Sequence, residues 1–258
     1  MEPVSLKALR HLDEPACVQL RNNLVKERYA IIAIDDAATL ENLSKAVHAF
    51  DPEKTFRFPA RDGVCHYDDT NKDCFRILYQ AALTFTRAIW QATPELSEKS
   101  QAVLQRIAEA QDPSFQLFSG EDPNAPFASA DDPFAPTFFN IFNYDHGMLN
   151  EHKDRGLVTA IYIAPNPNRS SDVSQLWVGR SEDDWVAMDA LVDGGQLVVF
   201  VGEELEDIGN QLGLDFLAVN HSVRVAPKGE YVSHSHERRD PDAPASGNRK
   251  SAALVLCS

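Results

Sequence analysis

Apolar and polar positions along this 258-residue chain change rhythm near Pro136. Before it the spacing is mostly helical. Cys17, Leu20, Leu24 and Val25 recur at helical intervals and predict a helix over 14–27; Tyr29-Ala30-Ile31-Ile32-Ala33-Ile34 then reads as a short buried strand. Asp35-Asp36 offers capping oxygens to a second helix over 38–50, where Leu40, Leu43, Val47 and Phe50 share a face until Pro52 ends the pattern. Residues 51–72 read as loop. From Asp73 to about Gln111 the helical spacing returns (Phe75, Leu78, Ala82, Phe85, Ile89, then Val103, Leu104, Ile107), broken near Thr93-Pro94, so two helices are predicted. Residues 112–136 hold five of the fifteen prolines and read as an irregular connection placed to close over a site.

After Pro136 short apolar runs alternate with turn residues. Strands are predicted over 138–144, 157–163, 174–178, 185–189, 196–201, 216–225 and 251–256, and a series of this kind indicates a barrel or sandwich. Helices followed by strands predict an α+β fold, with the helices bracing one side of a jelly roll. The expected organisation is one domain over 1–258, in which 1–136 is mainly helical support and 137–258 is the β core.

Composition narrows the function. With 43% hydrophobic residues there is apolar material for a sizeable core, and a net charge of −15 argues against a nucleic-acid partner, which requires a cationic face. The four cysteines, Cys17, Cys65, Cys74 and Cys257, show no C-x-x-C spacing, and Met-Glu-Pro at the start is unlike a secretory leader. Reduced thiols in a cytoplasmic protein are expected. No apolar run approaches the roughly 20 residues that span a bilayer, so a membrane partner is not expected, and the oligomeric state stays open.

Candidate chemistry sits in the second half. His152 and Asp154 are two apart, so in an extended segment both side chains point to one face and can bind one metal. The spacing alone is weak, since His66-Tyr67-Asp68 repeats it. Two imidazoles and one carboxylate suit a divalent iron with its remaining positions open. Arg249 and Ser251 alternate onto one face of a predicted strand, where a guanidinium fork and a hydroxyl suit a carboxylate. There is no GxGxxG, P-loop or nucleophile elbow, so phosphate and acyl-transfer chemistries find no support.

The series H-x-D, distal His221 and R-x-S is accompanied by Gly156-Leu157-Val158-Thr159, by Ser174-Gln175-Leu176-Trp177-Val178, by the stretch Gly195 to Leu205 and by Ala218 to Val223. Taken in order these residues resemble the 2-oxoglutarate- and Fe(II)-dependent dioxygenases, nearest to the branch of isopenicillin N synthase and the plant oxygenases, over roughly residues 138–256. The resemblance implies a double-stranded β-helix (jelly roll) with Fe(II) on His152, Asp154 and His221. It implies 2-oxoglutarate as co-substrate, its far carboxylate on Arg249 and Ser251, with Tyr144 touching it. Molecular oxygen and a small-molecule substrate complete the expected reaction: oxidative decarboxylation to succinate coupled to hydroxylation, with desaturation or ring closure as other outcomes.

Two departures bear on this. Tyr144 is followed by Asp145 where relatives have proline, and 27 residues separate His221 from Arg249. The excess, Gly229 to Asn248, is polar and reads as an inserted loop beside the mouth of the site; its His234-Ser235-His236 offers a rival third ligand. Two further readings share these residues: an oxidase in the style of isopenicillin N synthase, with the substrate's own carboxylate on Arg249 and Ser251 and no 2-oxoglutarate, and a non-catalytic ligand-binding jelly roll.

Overall fold

Oxygens of Ser5, Asp13 and Asp36 begin the first three helices of the computed structural model, which describes residues 1–49, 56–58, 61–66, 72–96, 138–144, 149–165, 174–192, 194–224 and 249–256. Strand β1 (Val4–Ser5) leads into α1 (Leu6–Arg10), where the Ala8 amide donates to Ser5 Oγ at 3.1 Å. Asp13 caps α2 (Glu14–Glu27), and Asp36 caps α3 (Ala37–His48) by accepting from the Thr39 amide at 2.9 Å. Asp35, expected as part of the same cap, instead accepts from Ser5 Oγ and the Lys7 amide at the start of α1. Between α2 and α3 runs β2 (Tyr29–Ala33).

The stretch 51–72 is not all loop: β3 (Phe56–Phe58) and β4 (Arg61–His66) form an antiparallel hairpin that extends the sheet beside β5 (Phe138–Tyr144). Helix α4 (Lys72–Gln91) follows the hairpin and ends just before the expected break near Thr93-Pro94; residues 94–96 are helical again, and the rest of the second expected helix falls outside the described residues, as does the 112–136 connection. After β5 the β-rich half comprises β6 (Leu149–His152), β7 (Val158–Ile163), β8 (Gln175–Gly179), β9 (Trp185–Ala187), β10 (Gln196–Val201), β11 (His221–Arg224) and β12 (Arg249–Leu256). The strand expected over 185–189 ends at Ala187, where the one-turn helix α5 (Met188–Leu191) begins. That expected over 216–225 is a strand only from His221. Helix α6 (Glu203–Leu212), not among the elements expected from sequence, carries Leu205, Ile208 and Leu212 at helical spacing and ends on Gly213 in the left-handed conformation (φ 69°).

The strands form two sheets. One has the order β1-β2-β10-β7-β12-β5-β4-β3 and is antiparallel except where β1 joins β2; the other is antiparallel with the order β6-β11-β8-β9. Side-chain alternation gives the large sheet two faces. Ala30, Ile32, Val158, Ala160, Tyr162, Leu197, Val199, Val201, Ala252, Leu254 and Leu256 pack with the residues of α1 to α4. Ile31, Phe142, Ile161, Ile163, Val198, Phe200 and Ala253 pack against Leu176, Val178 and Val223 of the small sheet. Three layers result: helices, large sheet, small sheet. Among the described residues no helix is long and apolar enough to cross a membrane.

Candidate active site

His152 ends β6 and His221 opens β11, and the two are direct partners across the antiparallel pair. Their ring centroids lie 4.2 Å apart. Each ring is oriented by its own backbone: His152 Nδ1 is 2.8 Å from the Asn150 carbonyl, and His221 Nδ1 is 3.2 Å from the Val219 carbonyl. A carbonyl only accepts, so each Nδ1 is the donor, and in the neutral ring the lone pair is on Nε2. Both Nε2 atoms turn toward Asp154: His152 Nε2 lies 3.6 Å from Oδ1, and His221 Nε2 lies 3.6 Å from Oδ2.

Asp154 follows β6 in a turn that two glycines bring against α6. Amides at the start of that helix close on the turn: Glu203 N–H donates to the Asp154 carbonyl at 2.8 Å and Glu204 N–H to those of Arg155 and Gly156 at 3.2 Å. A Cβ on Gly202 would stand 2.0 Å from the Gly156 carbonyl oxygen, and one on Gly156 would stand 2.4 Å from that of Leu256. Only glycine permits either approach. On the side chain, Thr159 of β7 donates its hydroxyl to Asp154 Oδ2 at 2.6 Å. Lys153 meets Glu206 of α6 at 3.0 Å, a further tie between the turn and the helix.

The His152, Asp154 and His221 donor atoms lie within 4.8 Å of one another. Cis ligands around a divalent ion with bonds of about 2.1 Å stand about 3 Å apart; the two His–Asp separations of 3.6 Å are near that spacing, and a bound ion would have to draw the full set together. The donor chemistry, two imidazoles and a carboxylate, fits such an ion. Burial pushes the His221 imidazole below its ordinary range, against the opposing pull of Asp154 and with a smaller push from His152, which favours the neutral ring. Exposure is graded, with side-chain values of 5% for His221, 14% for Asp154 and 36% for His152, so the site opens to solvent at His152.

Arg249 and Ser251 lie on the β12 face that also carries Ala253, the face turned toward the small sheet. Both are buried, and Arg249 Nη1 donates to Ser251 Oγ at 2.9 Å. Ser251 stands opposite Ile163 of β7, while Thr159, the partner of Asp154, lies four residues back on the same face. At about 3.3 Å per residue the two levels are about 13 Å apart along β7. Tyr144 pairs with Arg249 across β5 and β12, a placement of its backbone only. His66 is placed by its backbone in β4, opposite Asn140 of β5, and His146, His234 and His236 lie outside the described residues.

One site residue escaped the sequence reading. Asp189, in α5, accepts from Arg249 Nε at 2.8 Å through Oδ1 and from the Leu176 amide at 2.7 Å through Oδ2. Side-chain exposure is 3% for the guanidinium and 1% for the carboxylate. Removing one member of such a buried pair typically costs about 3–5 kcal/mol, because the other charge is left uncompensated. Only its place at the end of the β9 run hinted at it. A cavity of about 450 Å³ lined by Glu151, Lys153, Arg180 and Asn220 lies nearby, but those residues alternate with or adjoin His152 and His221 and open to the other side of β6.

No family model matches the sequence, and no curated protein matches it. Solved structures match its fold. A C-terminally truncated protein of Neurospora crassa, in apo form, superposes with a TM-score of 0.58 at 12% identity over 99% of this chain and 94% of that one. The full-length Neurospora crassa protein, in complex with alpha-KG, gives 0.55 at 13% identity over 98% and 83%. A prolyl-4-hydroxylase of Pseudomonas putida gives 0.52 at 14% identity over 94% and 99%. At these identities the likeness is one of fold: the chain folds as the Neurospora protein and this prolyl-4-hydroxylase do, along nearly its whole length.

Proposed function

We propose that this protein is an Fe(II)- and 2-oxoglutarate-dependent oxygenase that oxidises a small-molecule metabolite in the cytoplasm, with hydroxylation as its default outcome. Its catalytic core on this reading is a double-stranded β-helix formed by the two facing sheets. The observation that carries the reading is the convergence of His152, Asp154 and His221, with donor atoms within 4.8 Å, between the sheets whose shared interior also receives Arg249 and Ser251. The fold shared with a protein crystallised with alpha-KG supports it.

In this reading His152, Asp154 and His221 hold the iron, and Arg249 with Ser251 receives the far carboxylate of 2-oxoglutarate, with Tyr144 beside it. Iron and 2-oxoglutarate, when bound, supply the activation of oxygen. The chain supplies geometry. Carbonyls of Asn150 and Val219 hold the Nδ1 protons, so that the Nε2 lone pairs stay directed at the metal. Thr159 holds one carboxylate oxygen of Asp154. Phe200, whose ring centroid is 4.7 Å from that of His221, and Ile161 and Val223 exclude water from the interior side.

The test measures succinate formation and Mn(II)-dependent 2-oxoglutarate binding in wild type and Arg249→Lys. A lysine offers a point charge where the guanidinium offers a fork. The substitution is expected to weaken 2-oxoglutarate by about 2–5 kcal/mol, more than tenfold, with Mn(II) affinity nearly unchanged. Oxygen consumption without succinate, together with an unaltered 2-oxoglutarate dependence, favours the oxidase in which the substrate's carboxylate occupies Arg249 and Ser251. Failure to bind either metal or 2-oxoglutarate favours a non-catalytic ligand-binding protein.

A further inference from the structure

We propose that Asp189 is the positioning residue of the carboxylate site: it grips Arg249 by Nε and so forces an incoming carboxylate onto the Nη1–Nη2 edge beside Ser251. This rests on the 2-oxoglutarate reading above and deepens it. Three observations carry the inference. Asp189 Oδ1 accepts from Arg249 Nε at 2.8 Å, and Asp189 Oδ2 accepts from the Leu176 amide at 2.7 Å. The carboxylate is thus anchored to β8 of the small sheet while it holds a side chain of the large sheet. Nη1 in turn lies 2.9 Å from Ser251 Oγ, which fixes the remaining rotation of the guanidinium plane.

The chemistry requires an acid at 189. Two donors, an amide N–H and a guanidinium N–H, converge on one side chain, and only a carboxylate accepts through both of its ends. An asparagine would turn its NH2 toward one of them. The pair also explains how a guanidinium stays buried before any co-substrate arrives: its charge has a resident partner. With Nε committed to Asp189, the edge that meets a carboxylate in bidentate fashion is Nη1–Nη2. The depth of Arg249 in the site then follows from the length of the side chain at 189, which makes Asp189 a determinant of how long a 2-oxo dicarboxylate spans metal and guanidinium.

That consequence is testable with charge held constant. Asp189→Glu keeps the acid and moves the guanidinium by about one methylene, so the Mn(II)-loaded variant is expected to lose affinity for 2-oxoglutarate relative to oxaloacetate, which is one methylene shorter, by roughly tenfold or more. Water-proton relaxation of bound Mn(II) reads both affinities without turnover. An unchanged ratio overturns the proposal. Asp189→Asn is expected to weaken 2-oxoglutarate while leaving Mn(II) affinity intact; equal or tighter 2-oxoglutarate binding means that Asp189 merely competes for Arg249, and also overturns it. Because either variant risks misfolding, the wild-type protein loaded with diamagnetic Zn(II) provides a third reading by 15N NMR. The Arg249 Nε–H, assigned by its loss in Arg249→Lys, is expected to exchange slowly without ligand and to shift less than the Nη resonances when 2-oxoglutarate is added. Should wild type take no 2-oxoglutarate at all, the functional reading fails, and fast exchange of that Nε–H separately removes Asp189 from its role.

Discussion

The two faces of the large sheet come from the same strands and carry opposite chemistry. On β12, Ala252, Leu254 and Leu256 face the helices, while Arg249, Ser251 and Ala253 face the small sheet; on β7, Val158, Ala160 and Tyr162 contrast with Thr159, Ile161 and Ile163. Helices offer an apolar stripe and few donors, so the face they cover is packed with hydrocarbon. The small sheet brings its own strand ends, and there polar groups find partners: Asp154 for Thr159, Asp189 for Arg249. Both faces bury hydrocarbon, and the face toward the small sheet buries paired polar groups as well.

The largest effect that sharpens this contrast is loss of metal. His221→Ala is expected to lower Mn(II) affinity by more than about 100-fold, beyond what removal of a supporting hydrogen bond does, while the metal-free protein keeps its circular dichroism. Unchanged stoichiometric binding, with loss in His234→Ala or His236→Ala, would move the third ligand into the segment beyond Arg224. On the opposite face, Leu254→Ala is expected to cost about 2–5 kcal/mol in urea unfolding and to leave Mn(II) affinity per folded molecule unchanged. If that substitution altered metal binding as strongly as stability, the two faces would not be separable.

A smaller effect belongs to Thr159. Its hydroxyl holds Asp154 Oδ2 at 2.6 Å, and valine replaces it with nearly the same shape and no donor. Supporting partners of this kind are worth about 10–100-fold in metal affinity, and Thr159→Val is expected near the lower figure, read by Mn(II) titration. Wild-type affinity would show that the Gly156–Gly202 approach and the α6 amides hold Asp154 without help.

The fold was legible where one element carries its own pattern. Helix α2 has its cap and periodicity within fifteen residues, and β10 has an unbroken apolar run from Leu197 to Val201. It was illegible where a partner makes the element. Strand β6, Leu-Asn-Glu-His, is half exposed and is a strand because β11 pairs with it. The hairpin β3–β4 likewise depends on β5. In α6 the helical spacing of Leu205, Ile208 and Leu212 is short and begins among three glutamates, so no element is expected there from sequence. At the site, an interval of two offers a shared face for His152 with Asp154 and for Arg249 with Ser251, but His66-Tyr67-Asp68 has the same interval, and only the ordered series through His221 singles these residues out. Asp189 lies 60 positions from Arg249, and no local pattern marks a pairing made across two sheets.

The smallest expected effect tests how dry the helix-facing side is. Cys17 and Cys74 are both buried among the helices, and burial pushes the Cys74 thiol up to about 12 from an ordinary value of 9.0. Cys17 is raised as well, first by burial and then by Asp13. The neutral thiol is the favoured form in the folded protein, so this contribution to stability is whole below the ordinary value and is lost as pH climbs from there toward about 12. Only thiolate attacks an alkylating reagent. At about pH 8, just below the ordinary thiol range, iodoacetamide is therefore expected to label Cys74 at a rate that tracks global unfolding and rises with urea in step with circular dichroism. Rapid labelling in native buffer, with the fold intact, would mean that water reaches the helix-facing side, and the division of the sheet into a dry face and a working face would fail there.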